Sequence, residues 1–283
     1  MAKKNIVWLA SYPKSGNTWF RIFLSNLRSE QTAPIDINEI RDNGIFSSKV
    51  IFEKATGVKA DMLNVKEIDK LRPDVFRYYS SRIDDLLFIK AHDAYTYSKK
   101  EVPLFPTDVS YGAIYFVRNP LDVAVSFAFH IGKDIKDAHL TLNKNITLAK
   151  PIAYKSQLEQ KLLTWSEHVE SWLNQQDIPI LLIRYEDMKT DTLNTFKKAV
   201  QFLGWNYSDT EIQNALDKSS FNNLKKQESK KGFKERLSVQ KQFFRKGQIG
   251  DWKLHLSDEQ ILSIKKNHEN TIKKLSYDTY TEE

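Results

Sequence analysis

A chain of 283 residues with 41% hydrophobic and 12% aromatic residues has enough apolar surface for a sizeable core, so global disorder is excluded. It contains no cysteine, which removes disulfide and thiolate chemistry, and no apolar run approaches the ~20 residues of a membrane span. The net charge of +7 suits an anionic nucleotide; the scattered lysines, with one modest cluster at Lys225, Lys226, Lys230, Lys231 and Lys234, argue against a nucleic acid partner.

The N-terminus, with two lysines before an apolar run, is too short for a signal peptide and lacks a cleavage site, so a cytoplasmic location is expected. Ile6 to Ala10 reads as a buried strand. Pro13 and Gly16 then break regular structure, and Trp19, Phe20, Phe23, Leu24 and Leu27 form a helical stripe. Strand, small-residue turn and helix make a natural anion site: the first N–H groups of a helix are unpaired, its dipole is positive there, and Gly16 permits close approach. Lys14 adds a charge, and Ser15, Asn17 and Thr18 add hydrogen-bonding groups. An ordinary turn with a solvated lysine explains the spacing equally well. The GxxxxGK[ST] pattern is absent.

Short helices are expected over Ile35 to Asn43 and Lys66 to Leu71, within an irregular stretch from 29 to 85. Leu86 to Lys90 reads as a second strand, ending in Ala91-His92-Asp93. Lys90 and His92, two apart, point to one side of the chain, at the carboxyl end of a strand where α/β proteins bind ligands. A neutral imidazole there can take a proton, and the lysine can stabilise developing negative charge; taken alone, a surface histidine is the simpler reading. Gly112 to Val117 is a third strand; Asn119 then reads as a helix cap and Pro120 as the first helical residue, with the helix continuing to Ala128. Arg118 stands at that strand's edge, and Ser126 two turns into the helix.

Gly132 to Lys155 is polar and reads as a mobile loop, part of a lid. Leu158, Leu162, Trp165, Val169 and Trp172 fall at helical spacing, with His168 as a structural residue on that helix. A strand over Ile178 to Arg184 leads into Tyr185-Glu186-Asp187; helices follow over Thr192 to Leu203, closed by Gly204, and Thr210 to Leu216. Asn222 to Gln242 reads as an exposed segment able to order over a nucleotide. Ser257 and Gln260 form a capping box before a last helix through Ile261, Ile264, His268, Ile272 and Leu275, and the tail from Tyr277 reads as frayed. No repeat or linker marks a boundary, so one domain over 1–283 is expected, with 29–85 and 130–156 shaping an acceptor pocket.

Several separated segments carry a resemblance. Tyr12-Pro13-Lys14-Ser15-Gly16-Asn17-Thr18-Trp19 resembles the 5′-phosphosulfate loop, YPKSGTTW, of the cytosolic-type sulfotransferases, with Asn17 in place of a threonine. Lys90-Ala91-His92 resembles their K-x-H segment, and Arg118 to Ser126 their R-(N/D)-P-x-D-V-x-x-S motif. Tyr185-Glu186-Asp187 and Ser219-Ser220-Phe221 are similar to their Y-E-D and T-S-F segments, and Arg245 to Lys253 resembles R-K-G-x-x-G-D-W-K.

The resemblance implies a single α/β domain with a central, mostly parallel sheet and a P-loop-like phosphosulfate loop. It implies 3′-phosphoadenosine 5′-phosphosulfate (PAPS) as donor, 3′,5′-adenosine bisphosphate as product, and no metal. Lys14, Ser15, Gly16, Asn17 and Thr18 would hold the 5′-phosphosulfate. Trp19, Tyr185, Ser219, Phe221 and Phe244 would line the adenine side, and Arg118, Ser126, Arg245, Lys246 and Gly247 the 3′-phosphate. His92 would be the general base, with Lys14 and Lys90 stabilising charge. The acceptor would be a hydroxyl or amine of a small molecule, lipid, glycan or carrier-bound group. A nucleotide-dependent kinase and a non-catalytic nucleotide- or nucleic-acid-binding module are the alternatives. The family's dimer motif, K-x-x-x-T-V-x-x-x-E, is lost at Ser257, Asp258 and Leu262, which leaves the oligomeric state open.

Overall fold

The computed structural model describes residues 3–98, 101–148 and 156–278. Its fold is α/β, built on a central parallel sheet flanked by helices. The first strand, β1 (Ile6–Ser11), is buried along its whole length and sits inside the sheet, as a continuous apolar run should. It pairs in parallel with β2 (Leu87–Ala91), Ile6 opposite Leu87 through Ala10 opposite Ala91. With β3 (Ser110–Val117) and β6 (Ile180–Arg184) the order is β2-β1-β3-β6. A second, two-stranded sheet pairs β4 (Ile146–Leu148) with β5 (Gln160–Leu163) antiparallel.

Local chemistry sets most helix starts. The helix after β1 is α1 (Asn17–Leu27), capped by Gly16. After β3, Asn119 accepts the Leu121 N–H and Pro120 opens α4 (Pro120–Ile131), the arrangement its sequence predicts. Capping boxes begin α3 (Val65–Ser80) at Asn64 and Glu67, and α6 (Trp165–Leu173) at Thr164 and Glu167. The same device begins α9 (Asp209–Lys218) at Ser208 and α11 (Asp258–Asn267) at Ser257. Between them lie α7 (Tyr185–Thr190) and α8 (Thr192–Phe202), which Gly204 closes with φ 70°.

Several expectations are corrected. Ile35 to Asn43 is not helical, because side chains capture its backbone: Asn26 accepts the Ile35 N–H, Asp36 that of Asn38, and Ser25 that of Arg41. Ile35 and Ile37, two apart, both enter a core with Ile22, Leu224, Phe233 and Phe244. The helices of this stretch are instead α2 (Lys49–Thr56) and the 16-residue α3. The polar segment after Gly132 contains α5 (Ala138–Leu142) and β4, with Ala138 and Leu142 fully buried; residues 149–155 of the expected lid lie outside the described residues. The helix expected from Leu158 begins only at Trp165. Before it runs β5, and Leu163 turns the chain at φ 59°. Asn222 to Gln242 is not an open segment, since α10 (Phe221–Lys231) occupies its first half and buries Leu224 and Glu228. The last helix breaks at His268 into α11 and α12 (Glu269–Lys274). Tyr277 is 1% exposed rather than frayed, and 279–283 lie outside the described residues.

The residues cluster in two compact units: Met1–Tyr12, Asn43–Tyr115 and Lys144–Leu182 in the first, Pro13–Asp42, Phe116–Asn143 and Ile183–Glu283 in the second. The first is centred on Trp8, whose ring meets the Phe46, Phe76 and Phe105 rings edge-on at 5.1–5.4 Å and whose Nε1 donates to Ser110 Oγ. The second is centred on Phe20, Phe23, Phe116 and Phe196.

Candidate active site

The turn between β1 and α1 is strained where it matters. Lys14 holds φ 72° and Gly16 φ 102°, so two residues of the turn sit in the left-handed region just before α1. A Cβ at Gly16 would lie 3.0 Å from the Tyr185 ring and 3.2 Å from Met188 Sδ. No side chain of the N-cap residue, Gly16, caps α1, and a helix start of this kind suits an anion. Ser15, 1% exposed, has an Oγ with no hydrogen-bond partner. A buried hydroxyl without a partner beside a helix start is a group that an oxyanion would satisfy. Asn17 is buried and Thr18 half-buried on the first turn.

Two further basic elements join this turn in the second unit. Arg118, at the end of β3, lies with its guanidinium 4.3 Å over the Tyr185 ring. Its Nη2 donates to the Gln248 carbonyl at 2.8 Å, and its Nη1 reaches the Lys14 carbonyl at 3.4 Å. Lys14 Nζ sits 4.0 Å over the Phe243 ring. Arg245 and Lys246 both donate to Asp251, Lys246 at 2.6 Å, and Arg245 also lies over the Phe129 ring. Burial alone would raise the Asp251 pKa; the hydrogen bonds from Lys246 and Arg245 outweigh it and hold the carboxyl below its ordinary value. Gly247 has φ 61°, and a Cβ there would stand 2.5 Å from the Phe221 ring. Trp19 and Phe221 pack against the same apolar cluster, which contains Phe244, and Trp19 Nε1 is a second buried donor without a partner. Ser126 is half-buried on α4. Ser219 spends its hydroxyl proton on the α9 carbonyls of Ala215 and Leu216, leaving only its lone pairs to a ligand.

Buried carboxylates hold main chain behind these basic residues. Asp122 accepts the N–H groups of Gly250 and Trp252. Glu228 accepts those of Phe243 and Phe244, and Glu186 accepts the Asn119 N–H and the Tyr277 hydroxyl. Each anchors main chain next to a basic residue, and Asp122 also lies 3.6 Å from Arg118 Nη2. Burial pushes the Glu186 pKa up. Asp122 and Glu186 stand inside recognisable motifs, so position pointed to them; Glu228 lies in a stretch that looks merely polar, and nothing in the sequence singles it out. Lys189, on α7, has its pKa lowered by burial and by the nearby Arg118.

The first unit holds Lys90 and His92. Lys90 is half-buried on β2, and its main chain bonds Gly44 and Phe46 on either side. His92 Nδ1 is 2.8 Å from the Ser11 carbonyl and 3.3 Å from Ser11 Oγ. A carbonyl only accepts, so Nδ1 carries the proton and the basic lone pair is on Nε2. Behind it, His168 Nε2 lies 3.0 Å from the His92 carbonyl, and Tyr115 OH lies 2.8 Å from His168 Nδ1. His168 is fully buried, and burial lowers its pKa from 6.5 to about 4, so it is neutral at pH 7. His168 thus lies on α6 as expected, with no face open to solvent.

Lys14, Ser15, Gly16, Arg118, Tyr185 and the 243–247 segment therefore come together in one unit, and Lys90 and His92 with Ser11 in the other. Among the described residues, no group of three or more His, Asp or Glu side chains could hold a metal ion, and no helix is long and apolar enough to cross a membrane.

Comparison with known proteins identifies the family. The family described as "Sulfotransferase domain" matches residues 4–276. Sulfotransferase 2A1 of Rattus norvegicus is 29% identical over 272 residues, 91% of this chain and 81% of its own. Sulfotransferase 1E1 of Bos taurus is 26% identical over 267 residues, 90% and 79% of the two chains. Among solved structures, a mouse sulfotransferase, SULT7A1, complexed with PAP has a TM-score of 0.61 at 21% identity, covering 96% of this chain and 84% of its own. A retinol dehydratase in complex with retinol and PAP has a TM-score of 0.63 at 21% identity, covering 96% and 82%.

Proposed function

The chain belongs to the sulfotransferase domain family, and from that premise we propose that residues 1–283 form one PAPS-dependent sulfotransferase domain acting on a hydroxyl, or an amine, of a small organic acceptor. One observation carries the donor assignment. The buried Ser15 Oγ has no partner in a turn that also carries Lys14 and a helix start that no side chain of its N-cap closes. The residues present fit a bisphosphate nucleotide: cations at two places, and two glycines where a Cβ would collide with Tyr185 or Phe221.

PAPS supplies the sulfuryl group and departs as 3′,5′-adenosine bisphosphate. In this reading the α1 N–H groups, Ser15 Oγ, Asn17 and Thr18 hold the 5′ end, and Lys14 balances charge that builds on the bridging oxygen. Arg118, Ser126, Arg245, Lys246 and the Gly247 backbone take the 3′-phosphate, for which Arg245 and Lys246 must loosen their hold on Asp251. Trp19, Tyr185, Ser219, Phe221 and Phe244 bound the adenine. His92 Nε2 takes the acceptor proton as its oxygen attacks sulfur, while Lys90 supports the developing charge. A small hydroxylated acceptor agrees with the retinol that the structurally similar dehydratase is described with.

The test is a calorimetric titration with 3′,5′-adenosine bisphosphate against 5′-AMP and ATP. Hydrogen bonds to a charged group contribute about 1.5–3 kcal/mol each, so the bisphosphate should bind roughly a hundredfold tighter than 5′-AMP. Equal or tighter binding of ATP would overturn the 3′-phosphate assignments and put a kinase first. Gly247→Ala probes the same subsite. At φ 61° a side chain costs about 1 kcal/mol, and the Phe221 ring must move away from a Cβ at 2.5 Å. The bisphosphate Kd should rise about tenfold; an unchanged Kd would remove Gly247 and Phe221 from the site.

A further inference from the structure

We propose that His168 is a positioning residue for His92, acting through the His92 carbonyl and held in its own tautomer by Tyr115; this rests on the reading of His92 as the base. Tyr115 and His168 are both 0% exposed, so neither can bind substrate from solvent. The direction of each hydrogen bond follows from its partners. The His92 carbonyl can only accept, so His168 Nε2, 3.0 Å away, carries a proton. His168 Nδ1 is then a lone pair, and the Tyr115 hydroxyl donates to it at 2.8 Å. Burial keeps the His168 ring neutral, so this polarity holds at physiological pH.

The contact is one of a pair. Trp172, one turn further along α6, donates its Nε1 to the Asp93 carbonyl at 3.0 Å. One face of α6 thus holds two consecutive carbonyls at the end of β2. The Asp93 carboxylate is fixed as well, by Arg72 at 3.1 and 3.0 Å. What remains to be set is the His92 ring, which Ser11 meets through its carbonyl. That bond forms only if the His92 main chain is held at the right height, and His168 grips the main chain at that residue. A histidine that merely filled core space would need no donor aimed at this carbonyl. The two readings therefore separate on whether a donor, rather than volume, is what the position requires.

The experiment compares His168→Met, which keeps bulk and loses the donor, with His168→Gln, whose amide N–H reaches the same atom. Long-range proton–nitrogen NMR of 15N-histidine-labelled protein reads the His92 tautomer directly, with no acceptor needed. The parent should show His92 protonated on Nδ1, His168→Met a shift toward Nε2 protonation, and His168→Gln the parent pattern. With PAPS and 2-naphthol as probe acceptor, His168→Met should lose about tenfold or more in kcat with KM for PAPS unchanged, and His168→Gln should recover most of it. An unchanged His92 tautomer in His168→Met, or failure of glutamine to restore it, overturns the proposal. If His168→Met does not fold, Tyr115→Phe removes one hydroxyl and frees Nδ1 to take the proton. The His92 signal should then move with that of His168, and a stationary His92 overturns the proposal equally. Nε2 protonation of His92 in the parent would instead sink the general-base reading itself.

Discussion

Replacing His92 with alanine should lower kcat by about 10²–10⁴-fold, the usual loss when a positioned general base is removed. Bisphosphate affinity should stay within about twofold, because the substitution touches none of the groups assigned to the nucleotide. The reasoning runs from the ring's orientation. The Ser11 carbonyl fixes the proton on Nδ1, so Nε2 is the nitrogen able to accept one. An acceptor hydroxyl is a poor nucleophile until its proton begins to leave, and alanine offers nothing to receive it. Calorimetry with 3′,5′-adenosine bisphosphate and turnover of PAPS with 2-naphthol measure the two quantities separately. A folded His92→Ala protein that binds the bisphosphate and turns over at the parent rate would end the assignment.

The second large effect concerns stability. His168 has a folded pKa of about 4 against 6.5 for the ordinary side chain, because burial penalises its charged form. A group whose folded pKa is depressed stabilises the fold fully above its unfolded value and loses that contribution as pH falls through its folded value. The contribution is thus present above pH 6.5 and lost by about pH 4, and it amounts to roughly 3 kcal/mol. Unfolding in that window should take up one proton at His168. Burial raises the Asp93 and Glu186 pKa values, and their contributions run the other way, growing as pH falls. The clean measurement is therefore a difference. Urea or thermal unfolding of parent and His168→Gln should show the parent losing more stability between pH 6.5 and 4. Parallel curves would mean that His168 is protonated in the folded protein.

The sheet and the helix starts were legible in the sequence because their causes are local. Ile6 to Ala10 could only be a buried strand, Asn119-Pro120 a helix start, and Ser257 with Gln260 a cap. What misled was chemistry acting at a distance. Ile35 to Asn43 carries three isoleucines among polar residues, and only Ile37 and Ile40 stand at helical spacing. It is held open by Asn26 and Ser25 on α1, and by Gln227 from 190 residues away, which no window reveals. Leu158 to Trp172 has an unbroken helical stripe, yet the Thr164 box and the turn at Leu163 start the helix late. The basic residues of the site were visible as motifs. Of the buried carboxylates behind them, Glu228 was not, since among lysines and glutamines it looks like solvated surface.

The division into two units bears on how the chain is made. Each unit is assembled from separated stretches, so any cut between residues 13 and 182 splits both, and neither can be complete until residue 182 has left the ribosome. The strand at the centre of the sheet pairs with one far along the chain, so its first residue, Ile6, must wait for Leu87. A fully apolar strand held unpaired for that long is a target for chaperones and for aggregation. Translation speed between the codons of Ile6 and Leu87 should therefore govern the yield of folded protein more strongly than the same change beyond residue 182.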